Sequence, residues 1–173
     1  MLTSNRLRLS AVEPSDADFM YEVENDCCAW RYSDTVAPLS HKLLLDYALT
    51  YDADPFSAQQ LRLIVREKGR DIPVGIVDLY ELSQRHSRAF IGIYICKEYR
   101  KKGYADEALQ LMEEYAFNSL HLHQLGAKIE DGNTNAEKLF RKRSFELKGC
   151  LDDWLSQPDG KYSQMKIYTK ILA

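Results

Sequence analysis

Cysteine is scarce, at four residues, and Cys27, Cys28, Cys96 and Cys150 show no paired metal-ligand spacing. Adjacent cysteines such as Cys27 and Cys28 rarely build a disulfide framework. Thiols used this way fit a reducing cytoplasm, which is the expected location. No apolar run approaches the roughly 18 residues a membrane helix needs. The first residues carry no signal-peptide pattern, so no membrane partner is expected. Both common nucleotide fingerprints are missing: no G-x-G-x-x-G opens a βαβ unit and no G-x-x-x-x-G-K-[ST] occurs. His41, His86, His121 and His123 lack a supporting cysteine or carboxylate constellation and read as loop histidines, so no metal is expected. No Ser/His/Asp order or reactive-cysteine context stands out. Repeats, low complexity and internal linkers are also absent, and 173 residues give one domain over 1–173 with a substantial core. A net charge of −3 argues against a nucleic-acid partner.

What is present centres on one stretch. Ala89, Phe90, Ile91, Gly92, Ile93, Tyr94 and Ile95 read as a buried strand. A basic turn follows, Arg100-Lys101-Lys102-Gly103-Tyr104-Ala105, and then a helix with Ala105, Ala108, Leu109, Met112 and Ala116 on one stripe. Strand, cationic glycine turn and helix N-terminus together form an anion cradle, because first-turn N–H groups lack helical partners and the dipole places positive charge there. Gly103 allows the positive φ that brings backbone close to a phosphate. A basic turn of this kind is also compatible with a solvated loop.

Around that centre, Leu7, Leu9 and Ala11 alternate with polar residues as a first strand. Helices are expected from Pro14 and from Ser40, with Leu44, Leu45, Ala48 and Leu49 inward. Between Glu13 and Asp54 ten carboxylates face only Arg31 and Lys42, which is either a solvated face or a field that attracts a cation. Strands follow at Leu61–Val65, Ile72–Tyr80, the central stretch, Leu125–Ile129, Phe145–Leu151 and Met165–Ile171. Asp131-Gly132-Asn133 ends one of them, and Thr134-x-x-Glu137 reads as a capping box for a short helix. The expected fold class is therefore mixed α/β, in the order βααβββαβαββ.

Arg100, Gly103 and Ala105 match [Gln/Arg]-x-x-Gly-x-[Gly/Ala], so the turn resembles the pyrophosphate signature of the GNAT superfamily of N-acetyltransferases. The element order agrees over nearly the whole chain. Glu98 to Ala108, Asn133-x-x-Ala136, and Asp159-Gly160-Lys161-Tyr162 with Met165 resemble the branch of spermidine and ribosomal-protein N-terminal acetyltransferases. Trp30-Arg31-Tyr32 and the final hairpin lean towards the polyamine type. Three positions differ: Phe140 replaces a tyrosine that protonates the leaving thiolate, Phe90 replaces a strand glutamate, and Ser144 replaces a glycine.

The resemblance implies acetyl-CoA as cosubstrate. Its pantetheine would lie against Ile93, Tyr94 and Ile95, and its phosphates on Arg100, Lys101, Lys102, Gly103, Tyr104, Ala105 and Asp106. Asn133, Lys138 and Arg141 would face the cofactor's other side, although Asn133 also suits a plain helix cap. Glu81 and Tyr94 are the catalytic candidates, and Tyr94 alternatively reads as a core tyrosine. Trp30, Asp34, Asp78, Glu81 and Phe90 are expected at the acceptor; the carboxylates among them also suit a solvated rim. Gly92 marks either a close backbone approach or a packing accommodation. The expected activity is acetyl transfer to a primary amine, foremost a polyamine such as spermidine, in a homo-oligomer. A ribosomal-type N-terminal acetyltransferase and a CoA-binding protein without turnover are the alternatives.

Overall fold

The computed structural model describes residues 2–30, 35–51, 54–157 and 159–172. Alternation shapes β1 (Leu7–Ala11), where Leu7 and Leu9 are buried. Pro14–Asp16 forms a 3-10 turn closed by reciprocal hydrogen bonds between Glu13 and Asp16, so the α-helix begins later than Pro14, as α1 (Ala17–Glu24). The four-residue α2 (Cys27–Trp30) follows. In α3 (His41–Leu49) the Ser40 hydroxyl accepts from the Leu43 N–H, the expected cap. Another four-residue helix, α4 (Pro55–Ala58), starts at Asp54.

The strands β2 (Gln60–Glu67), β3 (Ile72–Ser83) and β4 (Arg88–Ile95) then run as an antiparallel meander. A 3-10 turn at Lys97–Tyr99 leads to α5 (Tyr104–Asn118), which crosses over to β5 (Gln124–Glu130). Next come α6 (Thr134–Lys142), β6 (Glu146–Ser156) and β7 (Tyr162–Ile171). The expected order is found, with α2 and α4 added; helices of one turn carry no periodicity to read. At α6 the cap is Asn133, whose Oδ1 accepts from the Ala136 N–H at 3.2 Å. Thr134 is the first helical residue instead, and Glu137 turns to Lys166 and Tyr168.

Among the described residues seven strands make one sheet in the order β1-β2-β3-β4-β5-β7-β6, and only β4 and β5 pair in parallel. Parallel neighbours need a crossover, which α5 supplies. On one face Ala89, Ile91 and Ile95 pack with Leu109, Met112, Leu125 and Ile129 in the larger apolar core. On the other, Ile64 and Ile76 meet Met20, Leu44 and Ala48 in a smaller cluster that includes Tyr94 at its edge. Gly75 is required where β3 meets β4, since a Cβ there would lie 2.3 Å from the Tyr94 carbonyl oxygen. Among the described residues no helix is long and apolar enough to cross a membrane.

Candidate functional site

The β4 strand ends at Ile95, and within nine residues the chain has turned into α5. Gly103 caps that helix at φ +81°, and no side chain hydrogen-bonds the cap. The first-turn amides therefore lack a side-chain cap, and the helix dipole adds positive charge at them. Arg100, Lys101 and Lys102 lie exposed beside it. Lys101 itself is left-handed, at φ +61°. The turn is braced from beneath: Arg6 Nη1 donates to the Lys102 carbonyl at 2.8 Å, and Arg6 pairs with Glu107 of α5.

The expected phosphate residues divide into side chains that face the turn and side chains that do not. Arg100 Nε donates to the Ile95 carbonyl at 2.8 Å and its guanidinium lies 5.5 Å from the Tyr94 ring, so the residue ties turn to strand. Lys102 Nζ sits 4.9 Å from the Tyr99 ring. Tyr104 is buried with its hydroxyl on Glu67, and Asp106 pairs with Lys142 of α6 at 2.8 Å. For Tyr104, Ala105 and Asp106 only the backbone faces the cradle's chemistry. Lys138 is exposed on α6, whereas Arg141 donates to the Tyr168 hydroxyl at 3.2 Å and Asn133 is occupied as a cap.

Beside the turn the sheet is incomplete. The β4–β5 ladder covers only Arg88↔Gln124, Ala89↔Leu125 and Phe90↔Gly126. From Ile91 to Ile95, β4 pairs with β3 and has no β5 partner among the described residues. The open edge thus contains Ile93, Tyr94 and Ile95, the residues expected along a pantetheine arm. Phe90 stands at the last closed pair with its ring over Gly126, where a Cβ would lie 2.6 Å from the ring.

Of the residues expected at the acceptor, Asp78 and Phe90 lie on the sheet face opposite α5. Asp78 accepts two hydrogen bonds from Arg62, both 2.9 Å, and Arg62 also binds Glu24 at the end of α1. Glu81 adopts φ +49° at a register shift in β3 and is ion-paired with Lys128 of β5. Trp30 Nε1 donates to the Glu24 carbonyl at 2.6 Å. Asp34, with Arg31 and Tyr32, lies outside the described residues. At Gly92 a Cβ would meet only the Tyr80 ring, at 3.6 Å, so the glycine leaves a hollow rather than easing a clash.

Tyr94 donates to Asp26 Oδ2 at 3.1 Å. Burial, then that hydrogen bond, pushes its hydroxyl up to about 12. It borders a cleft of about 490 Å³ lined by Cys96, the carboxylates Asp18, Glu22, Asp26 and Glu98, and the cation Lys97. Burial, then Glu98, pushes the Cys96 thiol up to about 11, so it stays protonated at neutral pH and is a poor nucleophile. Phe140 is buried edge-on to Phe145, with centroids 5.0 Å apart. Ser144 sits at φ +65°, a backbone that suits the glycine it replaces.

Sequence reasoning passed over Arg62, Tyr80, Lys128 and Gly126. Arg62 and Lys128 sit at the polar positions of alternating strands, which read as solvent-facing. Gly126 answers the size of Phe90, a match visible only once the parallel register is known.

A family model described as acetyltransferase (GNAT) domain matches residues 6–146. An uncharacterized N-acetyltransferase called p20, from Bacillus licheniformis, is 30% identical over 161 residues, 88% of this chain and 86% of its own. The spermidine N(1)-acetyltransferase of Escherichia coli K12 is 26% identical over 151 residues, 87% and 78% of the two chains. Among solved structures, spermidine N-acetyltransferase from Vibrio cholerae in complex with CoA and spermine superposes with a TM-score of 0.88 at 23% identity, over 98% of this chain and 97% of that one. A dodecameric structure of the Vibrio cholerae enzyme gives 0.81 at 22% identity, over 98% and 95%. At those identities the structures speak for the fold alone.

Proposed function

Because the chain belongs to the GNAT acetyltransferase family, we propose that it moves the acetyl group of acetyl-CoA to a primary amine, with a polyamine such as spermidine as acceptor. One observation carries this reading: an uncapped helix N-terminus follows directly on a strand whose far edge is left open. The amides of Gly103 to Asp106, with Arg100, Lys101 and Lys102, receive the diphosphate. The backbone of Ile93 to Ile95 aligns the pantetheine and brings the thioester towards Gly92. Asn133, Lys138 and Arg141 border the nucleotide from α6.

The amine nitrogen attacks the thioester carbon, a C–N bond forms, and the C–S bond breaks with its electron pair on sulfur. The amine must arrive neutral, and the proton it sheds once bonded to carbon passes to a carboxylate, for which Glu81 is our choice. A thiol's reference pKa is about 8.5 and Tyr94 stands at about 12, so full transfer from Tyr94 to the thiolate runs uphill. Tyr94 turns its single hydroxyl hydrogen from Asp26 to the developing charge, and solvent returns the proton to sulfur. Positioning supplies most of the acceleration, which is why Phe140 and Phe90 are compatible with turnover. The protonated Cys96 is consistent with direct transfer and no acyl-enzyme.

Polyamine choice rests on the carboxylates of the cleft beside Tyr94 and on the spermidine-named relatives. Trp30, Asp78, Glu81 and Phe90, with Asp34, make up the proposed acceptor side. We read residues 1–173 as one domain acting in the cytoplasm, where Cys27, Cys96 and Cys150 stay free. Copies assemble, in this reading, through the edge strand β6, which exposes Leu147, Leu151 and Trp154.

The test is release of free thiol from acetyl-CoA across spermidine, simple monoamines and peptides with free N-termini. Release with spermidine is expected. Turnover with peptides alone would remove the polyamine, and CoA binding with no release for any amine would leave a binding protein.

A further inference from the structure

The acceptor side already holds a cation. Lys128 projects from β5 just beyond the last closed pair with β4, on the face that carries Phe90. Its Nζ lies 4.5 Å from the Phe90 ring centroid and 5.6 Å from that of Tyr80, and it is ion-paired with Glu81. The two rings are stacked, 5.7 Å apart and inclined by 23°. Gly126 below and Gly92 beside them leave the rings room to lie over the sheet. A carboxylate with two aromatic faces is what an alkylammonium ion seeks in a site, since the ring faces attract a cation and the carboxylate neutralises it. Here the chain supplies that ammonium itself.

We propose that Lys128 determines acceptor specificity: its tethered ammonium fills the Glu81–Phe90–Tyr80 cage and competes with the ammonium groups of a cationic acceptor. The inference rests on the reading of Glu81 and Phe90 as acceptor-side residues. Displacement is feasible because the pair is accessible, with side chains 31% and 52% exposed, and pairs of that kind are weak. A displaced Lys128 remains nearby and repels the incoming cation. The enzyme therefore favours amines whose second charge lies away from the cage, and removing the lysine's charge opens the cage to a polyamine.

Lys128→Met keeps the length and apolar stem of the side chain without its charge, and Lys128→Arg keeps the charge. Calorimetric titration of spermidine into each CoA-bound protein, with n-butylamine as a singly charged probe, reads binding without requiring turnover. We expect spermidine to bind Lys128→Met about tenfold more tightly than the parent, roughly the worth of one cation–aromatic contact and one exposed ion pair. Lys128→Arg should bind as the parent does, and n-butylamine, whose single ammonium fits the same cage, should also bind Lys128→Met more tightly. Equal spermidine affinities in parent and Lys128→Met, including no binding to either, overturn the inference. Thiol release is measured alongside: a tighter Lys128→Met with no release for any amine removes acetyl transfer as the activity and leaves the cage intact.

Discussion

On the α5 side of the sheet, Ile91, Leu109, Met112 and Leu125 are sealed from water in one apolar core. On the α1–α3 side, strand positions carry Arg62, Asp78, Tyr80 and Lys128 around a glycine hollow, and Ile64, Ile76 and Tyr94 reach a smaller apolar cluster. The first face is held by area removed from water, which is tolerant of detail and insensitive to salt. The second is held by charge pairs whose partners must all be present. The α5 face fixes β4 and β5, whose ladder stops at Phe90, and the other face gathers paired polar groups.

The largest effect should come from breaking the polar face. Arg62→Met leaves Asp78 and Glu24 without their shared partner, and removing one member of a largely buried pair costs about 3–5 kcal/mol. Urea unfolding measures it, and neutralising both carboxylates as well (Asp78→Asn, Glu24→Gln) should restore much of the loss. On the apolar face, Leu109→Ala should cost about 2–5 kcal/mol, with no partner substitution able to restore it and little dependence on salt. A common salt response in the two variants would erase the distinction between the faces.

Smaller is the change at the turn. Gly103→Ala places a Cβ at φ +81° and 3.3 Å from Arg6 Nη2, a backbone strain of about 1–2 kcal/mol. Calorimetry should show weaker CoA binding, while spermidine binding to the free protein is unaffected. The smallest effect is alkaline. Tyr94 has its proton held up to about 12 by burial and Asp26, against 10.0 in an unfolded chain. The native state therefore keeps that proton longer, so this contribution to stability is complete below pH 10 and fades as pH rises towards 12. Tyr94→Phe should flatten the fall in stability across that window relative to the parent, measured by urea unfolding at stepped pH.

How much was legible follows the same division. The apolar face announces itself by period, in Leu7 and Leu9, in the α5 stripe, and in Leu125, Ala127 and Ile129, and the glycine turn at Gly103 is a local signal. The polar face is not local. Arg62 finds Asp78 across a β-ladder and Glu24 from a helix 38 residues earlier, and sequence spacing says nothing about either meeting. Lys128 carries no such signal either, because strand alternation marks which side a residue takes, not what waits there. Asn133 shows the same limit in miniature, since a cap and a ligand contact ask for one residue type.

The central claim is that the turn after β4 grips a diphosphate and that the open edge from Ile91 to Ile95 aligns a thioester. A crystal structure of the protein with CoA tests it most directly. The diphosphate is expected on the amides of Gly103 to Asp106, with the pantetheine beside Ile93 to Ile95. A diphosphate bound elsewhere, or β5 closed against β4 along those residues, would contradict it.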